Sequence, residues 1–422
     1  MLDRNKISAF NRNVLTLSTG SILSQALILA VSPLLSRIYS PEAFGLLAVF
    51  TGLSSFLASL SSGKYEQAIL FPKSREVALN VILFCLVLSF IICSGASISL
   101  YVFSDYIRLK MNLNELFDKV FPYIPIISFI IVFYSCLQLW FQRNERYKLI
   151  TIATIFQSII VVALNLFFGF FSDDAFGLVY GYSGSIVLTA LFLFVFFYFK
   201  EDIKKVYGFL NFTASIQAAI QYKKFPFTIL WSELIITFSQ QLMPLLLAYF
   251  YSSSIVGFYA FTTRVMKTPA IILSNSVWGV FRVEALKLKN ENRSVKPLFI
   301  GVLRKTIFLG VIPFTVLSLG GSQLFKLIFG NEWVVSGVYA QIMAIFIFTE
   351  FVAHPLSNIF VIYNGQRLYL AIQGCGLIFS VIGIVLGYHF GGHKYSILLY
   401  SIFGTILNMV SIFLAFKLVK RA

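Results

Sequence analysis

Four charged side chains stand where a membrane span would tolerate them least: Glu233, Arg264, Lys267 and Glu350. At the centre of a span each costs about 2.5–3.5 kcal/mol on insertion scales, so such a group faces a partner or a water-filled space. Arg37 adds a cation at the outer end of the first apolar run. Two kinds of chemistry fit this set. The glutamates and cations can pair with one another between helices. Alternatively, they serve a transported substrate, the cations by binding it and Glu233 or Glu350 by taking up a proton, since desolvation raises a carboxyl pKa. All four charges lie in the second half of the chain, and the cations outnumber what a single pair needs, which favours the second reading.

Uncharged polar residues form stripes beside them. Ser18, Ser21, Gln25 and Ser32 fall on one face of a helix, as do Thr51, Ser55, Ser59 and Ser62. Ser239, Gln240 and Gln241, then Thr262, Thr263, Ser274, Asn275 and Ser276, supply the later part of the chain. Such stripes either line a polar cavity or let helices pack closely. Pro33, Pro125, Pro244, Pro269, Pro313 and Pro355 would kink or interrupt helices. Other chemistries lack their residues. No G-x-x-x-x-G-K-[ST] loop is present for ATP, and no H-E-x-x-H for zinc. His389 and His393 are separated by Gly391 and Gly392, a poor frame for a metal, and Asp173 and Asp174 read as a solvated turn. Cys85, Cys93, Cys136 and Cys375 sit in apolar runs and read as small hydrophobes.

The elements that position these residues follow from composition. Of 422 residues, 58% are hydrophobic and only 12% charged, with a mean hydropathy of +0.85. Apolar runs of roughly twenty residues recur, each long enough to cross a hydrocarbon core of about 30 Å. Barrel strands would be half that length and alternate in polarity, so the chain is expected to be an all-α polytopic membrane protein of about twelve spans. The first run is expected to stay as the first span. The net charge of +16 suits cytoplasmic loops rather than nucleic acid. Sorting the cations between alternate sides puts 25 on one and 6 on the other, which predicts cytoplasmic termini. The connection 200–225 mixes basic residues with Val206, Phe209, Leu210, Phe212 and Ile216, the pattern of an amphipathic segment on a membrane surface. It divides the chain into six-helix lobes at 1–199 and 226–422. A faint repeat supports two lobes: from Tyr39-Ser40 to Ala48 and from Tyr251-Ser252 to Ala260 the offset is a constant 212 residues.

Several stretches resemble the Wzx-type oligosaccharide flippase family of the multidrug/oligosaccharidyl-lipid/polysaccharide exporter superfamily. Ser62-Gly63-Lys64-Tyr65-Glu66-Gln67-Ala68-Ile69 through Pro72-Lys73 is similar to its R-Y-E-x-A-I motif, with Lys64 in place of the commoner Arg. Trp140-Phe141-Gln142-Arg143, Tyr222-Lys223-Lys224-Phe225-Pro226, Gly257-Phe258-Tyr259-Ala260 with Arg264 and Pro269, and Phe329-Gly330-Asn331-Glu332-Trp333 match further family segments in order. The resemblance implies a two-lobed transporter that moves a polyprenyl-pyrophosphate-linked oligosaccharide through a cationic central cavity by alternating access, for O-antigen or capsule assembly at a bacterial inner membrane. On that basis Arg264, Lys267 and Arg37 would neutralise the pyrophosphate, for which the guanidinium fork is suited. Ser21, Gln25, Ser55, Gln240, Gln241 and Asn275 would line the cavity. No cofactor is expected, a proton or sodium gradient being the candidate energy source, and a polysaccharide polymerase and chain-length regulator are candidate partners. A drug exporter of the same superfamily would share the fold. A membrane-bound polymerase or transferase would need catalytic residues on a sizeable outer loop, and 104–120 offers only Asp105, Glu115 and Asp118 among its acids.

Overall fold

The computed structural model describes residues 4–102, 119–171, 175–201, 208–209 and 211–421. The acidic residues Asp105, Glu115, Asp118, Asp173 and Asp174 lie outside them, as do Val206 and Leu210. Helices account for almost every described residue, and no strand occurs among these. In chain order they are α1 (Arg4–Ile38), α2 (Pro41–Ser62), α3 (Tyr65–Ala68), α4 (Arg75–Val102), α5 (Tyr123–Arg143), α6 (Tyr147–Phe171), α7 (Gly177–Lys200) and α8 (Phe212–Gln221). A π-turn, Phe225–Ile229, leads into α9 (Leu230–Phe250), followed by α10 (Ser253–Asn290) and α11 (Lys296–Phe329). A 3-10 turn, Asn331–Trp333, precedes α12 (Val334–Leu356), α13 (Asn358–Ile362), α14 (Gln366–Phe390) and α15 (His393–Arg421).

Ten of these segments are long and apolar enough to cross a membrane. The two further spans expected from the sequence coincide with α9 and α10. The first of these covers Leu230–Phe250 with Glu233 in its first turn, and α10 carries Arg264 and Lys267 along its 38 residues. Large apolar side chains such as Phe171, Phe199, Phe308, Leu319 and Phe390 are exposed on the spanning helices, which suits lipid and not water. This is a multi-pass membrane protein.

By contacts the chain falls into two compact units, Met1–Leu245 and Leu246–Ala422. In the first, α2 packs on α5 and α4, α1 on α6, and α6 on α7. Its core gathers Cys85, Cys136, Leu137, Trp140, Phe141 and Leu193. In the second, α12 packs on α11, α10 and α15, and α14 on α15. One end is filled by Phe281, Val295, Phe299, Leu356, Ile359 and Phe360, the other by Phe261, Phe325, Phe329 and Trp333. Lipid tails are as apolar as leucine, so close backbone approach does much of the work of joining helices. Between α11 and α12 a methyl group added at Gly337 would stand 2.5 Å from the Gly321 carbonyl oxygen. Only hydrogen fits there.

The internal repeat is visible in each unit's own geometry. Ser40 and Ser252 both hold extended backbone at a helix start, with φ of −67° and −84°. The Tyr39 amide donates to the Leu35 carbonyl and the Tyr251 amide to the Leu247 carbonyl, both at 2.9 Å. Each tyrosine hydroxyl then bonds a distant helix at 2.7 Å, Tyr39 to the Asn165 carbonyl and Tyr251 to Ser396 Oγ. The offset continues to Thr51 and Thr263, whose hydroxyls donate to the carbonyls of Ala48 and Ala260. Further along the same two helices in this register, Gly52 and Ser55 correspond to Arg264 and Lys267. The first unit has no charge at either place.

Candidate functional site

Within the second unit, Arg264 and Lys267 lie almost one turn apart on α10, a helix that packs on α12. Thr262 Oγ1 donates to the Ser336 carbonyl at 2.9 Å and pins the two helices together just above them. Lys267 Nζ lies 2.8 Å from Glu350 Oε2 and 5.1 Å from the centre of the Phe346 ring. One turn beyond Glu350, the His354 ring meets Ser274 Oγ at 3.1 Å. Tyr259 is buried against Tyr400, and Asn408 Nδ2 donates to Thr349 Oγ1 at 3.3 Å. Both partners of the Lys267–Glu350 pair keep part of their side chains exposed, so the pair is a modest contributor to stability. It does cancel one positive charge. Arg264 is different: no carboxylate or hydrogen-bond acceptor among the described residues meets its guanidinium. Pairing therefore accounts for Lys267 and Glu350, and leaves Arg264 a cation midway along α10 without such a partner among the described residues.

In the first unit Glu233 joins the Lys64-Tyr65-Glu66 segment. Gly63 and Lys64 both adopt left-handed backbone, with φ of 56° and 58°, which ends α2 and turns the chain into α3. The turn buries Tyr65, whose hydroxyl donates to the Ala219 carbonyl at 3.2 Å and whose ring meets Phe84 edge-on. Lys64 Nζ is left 3.6 Å from Glu66 Oε1 and 3.8 Å from Glu233 Oε2, a cation shared by two carboxylates. Glu66 is buried, and its Oε2 has no partner among the described residues. Burial pushes the Glu66 carboxyl above its ordinary value, against the opposing pull of Lys64. A carboxyl raised in the folded state contributes most below its unfolded pKa, and that contribution is lost as pH climbs through the folded one. Glu66→Gln does not titrate, so its thermal stability in detergent should gain on the wild type between pH 4.5 and 8. A difference that stays constant across that range would contradict the assignment.

The remaining expected residues are placed as follows. Arg37 is exposed at the end of α1, with no carboxylate among the described residues beside it. On α1, Ser21 is exposed and Gln25 half-buried, while Ser24 and Ser32 are buried. Ser55 is half-buried within hydrogen-bonding reach of Tyr182. Beside the α2 stripe, two buried serines join helices: Ser61 Oγ meets Ser89 Oγ at 3.0 Å, and Ser128 Oγ donates to the Ser54 carbonyl at 3.0 Å. Gln241 stands over Gly52, where a methyl group would come 3.0 Å from Gln241 Oε1. The side chain of Gln240 lies outside the described ones, and Asn275 is exposed. No group of three or more His, Cys, Asp or Glu that would hold a metal occurs among the described residues.

Residues 34–338 match the sequence model of a family described as "Polysaccharide biosynthesis protein". The chain belongs to that family. No curated protein matches it. Its fold is that of solved transporters of the MOP superfamily. A multidrug resistance MATE family transporter in an inward-facing conformation has 16% identity and a TM-score of 0.72, covering 96% of each chain. The lipid II flippase MurJ, inward closed, has 12% identity and a TM-score of 0.76, covering 96% of this chain and 87% of its own. A MOP superfamily transporter from Pyrococcus furiosus has 14% identity and a TM-score of 0.61, covering 97% and 96%.

One charged cluster of this polysaccharide biosynthesis protein has no forewarning in the sequence. Glu201, just past the end of α7, is buried. Arg75 of α4 makes a short ion pair with its Oε2, Arg146 approaches Oε1 at 3.9 Å, and Trp140 Nε1 donates to Oε1 at 3.2 Å. Arg75 also lies 5.7 Å from the centre of the Trp140 ring. Four segments meet there. Trp140 and Arg143 flag one of them in the sequence, but nothing marks Glu201 as their partner.

Proposed function

We propose that this protein is a flippase that carries a polyprenyl-pyrophosphate-linked oligosaccharide from the cytoplasmic to the outer leaflet of a bacterial inner membrane. The observation that carries the reading is Arg264, a cation midway along the long helix α10 with no anion of its own among the described residues. Membership of a polysaccharide biosynthesis family supplies the glycan, and a fold shared with a lipid II flippase supports the lipid carrier. A sugar hydroxyl moved into hydrocarbon without a partner costs roughly 2–7 kcal/mol, so a repeat unit with several of them needs a polar route. Arg264 offers the pyrophosphate a planar donor fork. Lys267 can follow once the phosphate competes with Glu350, and Arg37 offers a further cation near the exit. Glu233 and Glu350, each held by a lysine, are the carboxylates that a proton gradient would address. The product would enter O-antigen or capsule assembly beside a polymerase and a chain-length regulator.

The test is a vesicle assay with the purified protein and a fluorescent lipid-linked repeat unit. The expected result is movement of the label to the opposite leaflet with its glycan chemically unchanged. Lengthened or cleaved glycan in the same vesicles would make the protein an enzyme and end the flippase reading.

A further inference from the structure

Helix α8 presents three distinct faces. Ser215, Ala218 and Ala219 are buried toward α4. That face is fastened by Asn80, in the second turn of α4. Its Nδ2 donates to the Phe209 carbonyl at 2.9 Å, while its Oδ1 accepts from the Asn211 amide at 3.0 Å and from Ser215 Oγ at 3.1 Å. Phe212, Ile216 and Ile220, spaced by four, make a second face and stand 61%, 40% and 60% exposed. Thr213, Gln217 and Gln221, also spaced by four, make a third face that is exposed and polar. Lys223 and Lys224 follow at once, both exposed. The apolar face then runs on into Phe227 and Trp231, again four apart and exposed, at the entry to α9.

A helix wholly in water would not present that apolar row, and one wholly in hydrocarbon would not present the glutamines. The arrangement suits a boundary. The height also fits, because Asn80 lies near the charged end of α4, where Arg75 and Glu76 begin the span. We propose that α8 lies along the headgroup boundary of the bilayer, with Phe212, Ile216 and Ile220 among the upper acyl chains. Lys223 and Lys224 then contact the phosphates of anionic phospholipids, whose negative surface attracts basic segments beside a span. The exposed Phe227 and Trp231 make this continuous with the lipid-facing side of α9. The proposal stands independently of the transported substrate.

Spin labels on full-length protein test it. Cys85, Cys93 and Cys136 are buried and Cys375 is exposed, so C375S provides a background with a single reactive site. I216C, I220C, Q217C and Q221C, each labelled with a nitroxide, are reconstituted in phosphatidylethanolamine vesicles with and without phosphatidylglycerol. Labels at positions 216 and 220 should collide readily with oxygen and poorly with a water-soluble nickel chelate, and those at 217 and 221 the reverse. Phosphatidylglycerol should deepen the protection at 216, and K223Q/K224Q should remove that increment. Equal nickel access at 216 and 217 would mean a wet face, and exclusion of both probes at 216 a face covered by protein. Either overturns the proposal, as does protection at 216 that ignores phosphatidylglycerol.

Discussion

Arg264→Glu is expected to abolish glycan export while leaving the protein inserted and folded. A hydrogen bond to a charged group contributes about 1.5–3 kcal/mol, and a guanidinium fork makes two with one phosphate. Since each 1.4 kcal/mol is a factor of ten, Arg264→Ala should slow export at least a hundredfold. The glutamate does more harm, because it repels the pyrophosphate and stands three residues before Lys267, the spacing at which helix side chains pair. It would compete with Glu350 for the one remaining nearby cation. Arg264→Lys keeps the charge without the fork and should fall between. The measurement is the initial rate of leaflet transfer in vesicles, with protein content matched by immunoblot. Wild-type transfer by Arg264→Glu would remove the residue from the substrate path.

The largest loss of stability is expected from Glu201→Ala. Removing one partner of a buried ion pair costs about 3–5 kcal/mol. Arg75 and Arg146 keep part of their side chains exposed, so solvent takes up some of the uncompensated charge and the cost falls to about 2–3 kcal/mol. The buried Trp140 indole also loses its acceptor. Glu201→Gln keeps an oxygen for the indole and should lose less. Thermal unfolding in detergent reads both changes, and a cycle with Arg75→Ala isolates the pair itself. Additive single losses would show that the two side chains do not interact.

Much of this architecture is legible in the sequence because lipid imposes a simple rule. Backbone groups must be paired inside each span, so length and apolarity mark the helices. The charges in α9, α10 and α12 stand out for the same reason. Their partners do not. Lys267 and Glu350 are adjacent in the unit yet distant in sequence, and the same holds for Lys64 and Glu233. Spacing alone places a residue on a face without saying what that face meets. The polar residues of these helices show this best: a helical hydroxyl can return to its own preceding turn, as Ser32 does to the Ile28 carbonyl, or reach a neighbouring helix, as Thr262 does to the Ser336 carbonyl. The repeat was faint as letters because only corner residues keep their identity. It becomes plain in backbone angles and in the paired hydroxyls of Tyr39 and Tyr251.

The meeting of Gly321 with Gly337 limits how the second unit can deform. Elsewhere interlocked side chains can slip by one helical turn and settle into the next groove, but these two backbones have no teeth to disengage. Sliding would lift carbonyl oxygens off a bare glycine surface and set them against larger neighbours. At that crossing the two helices are held at backbone distance, so a working cycle that slid or parted them there would first have to give up this contact.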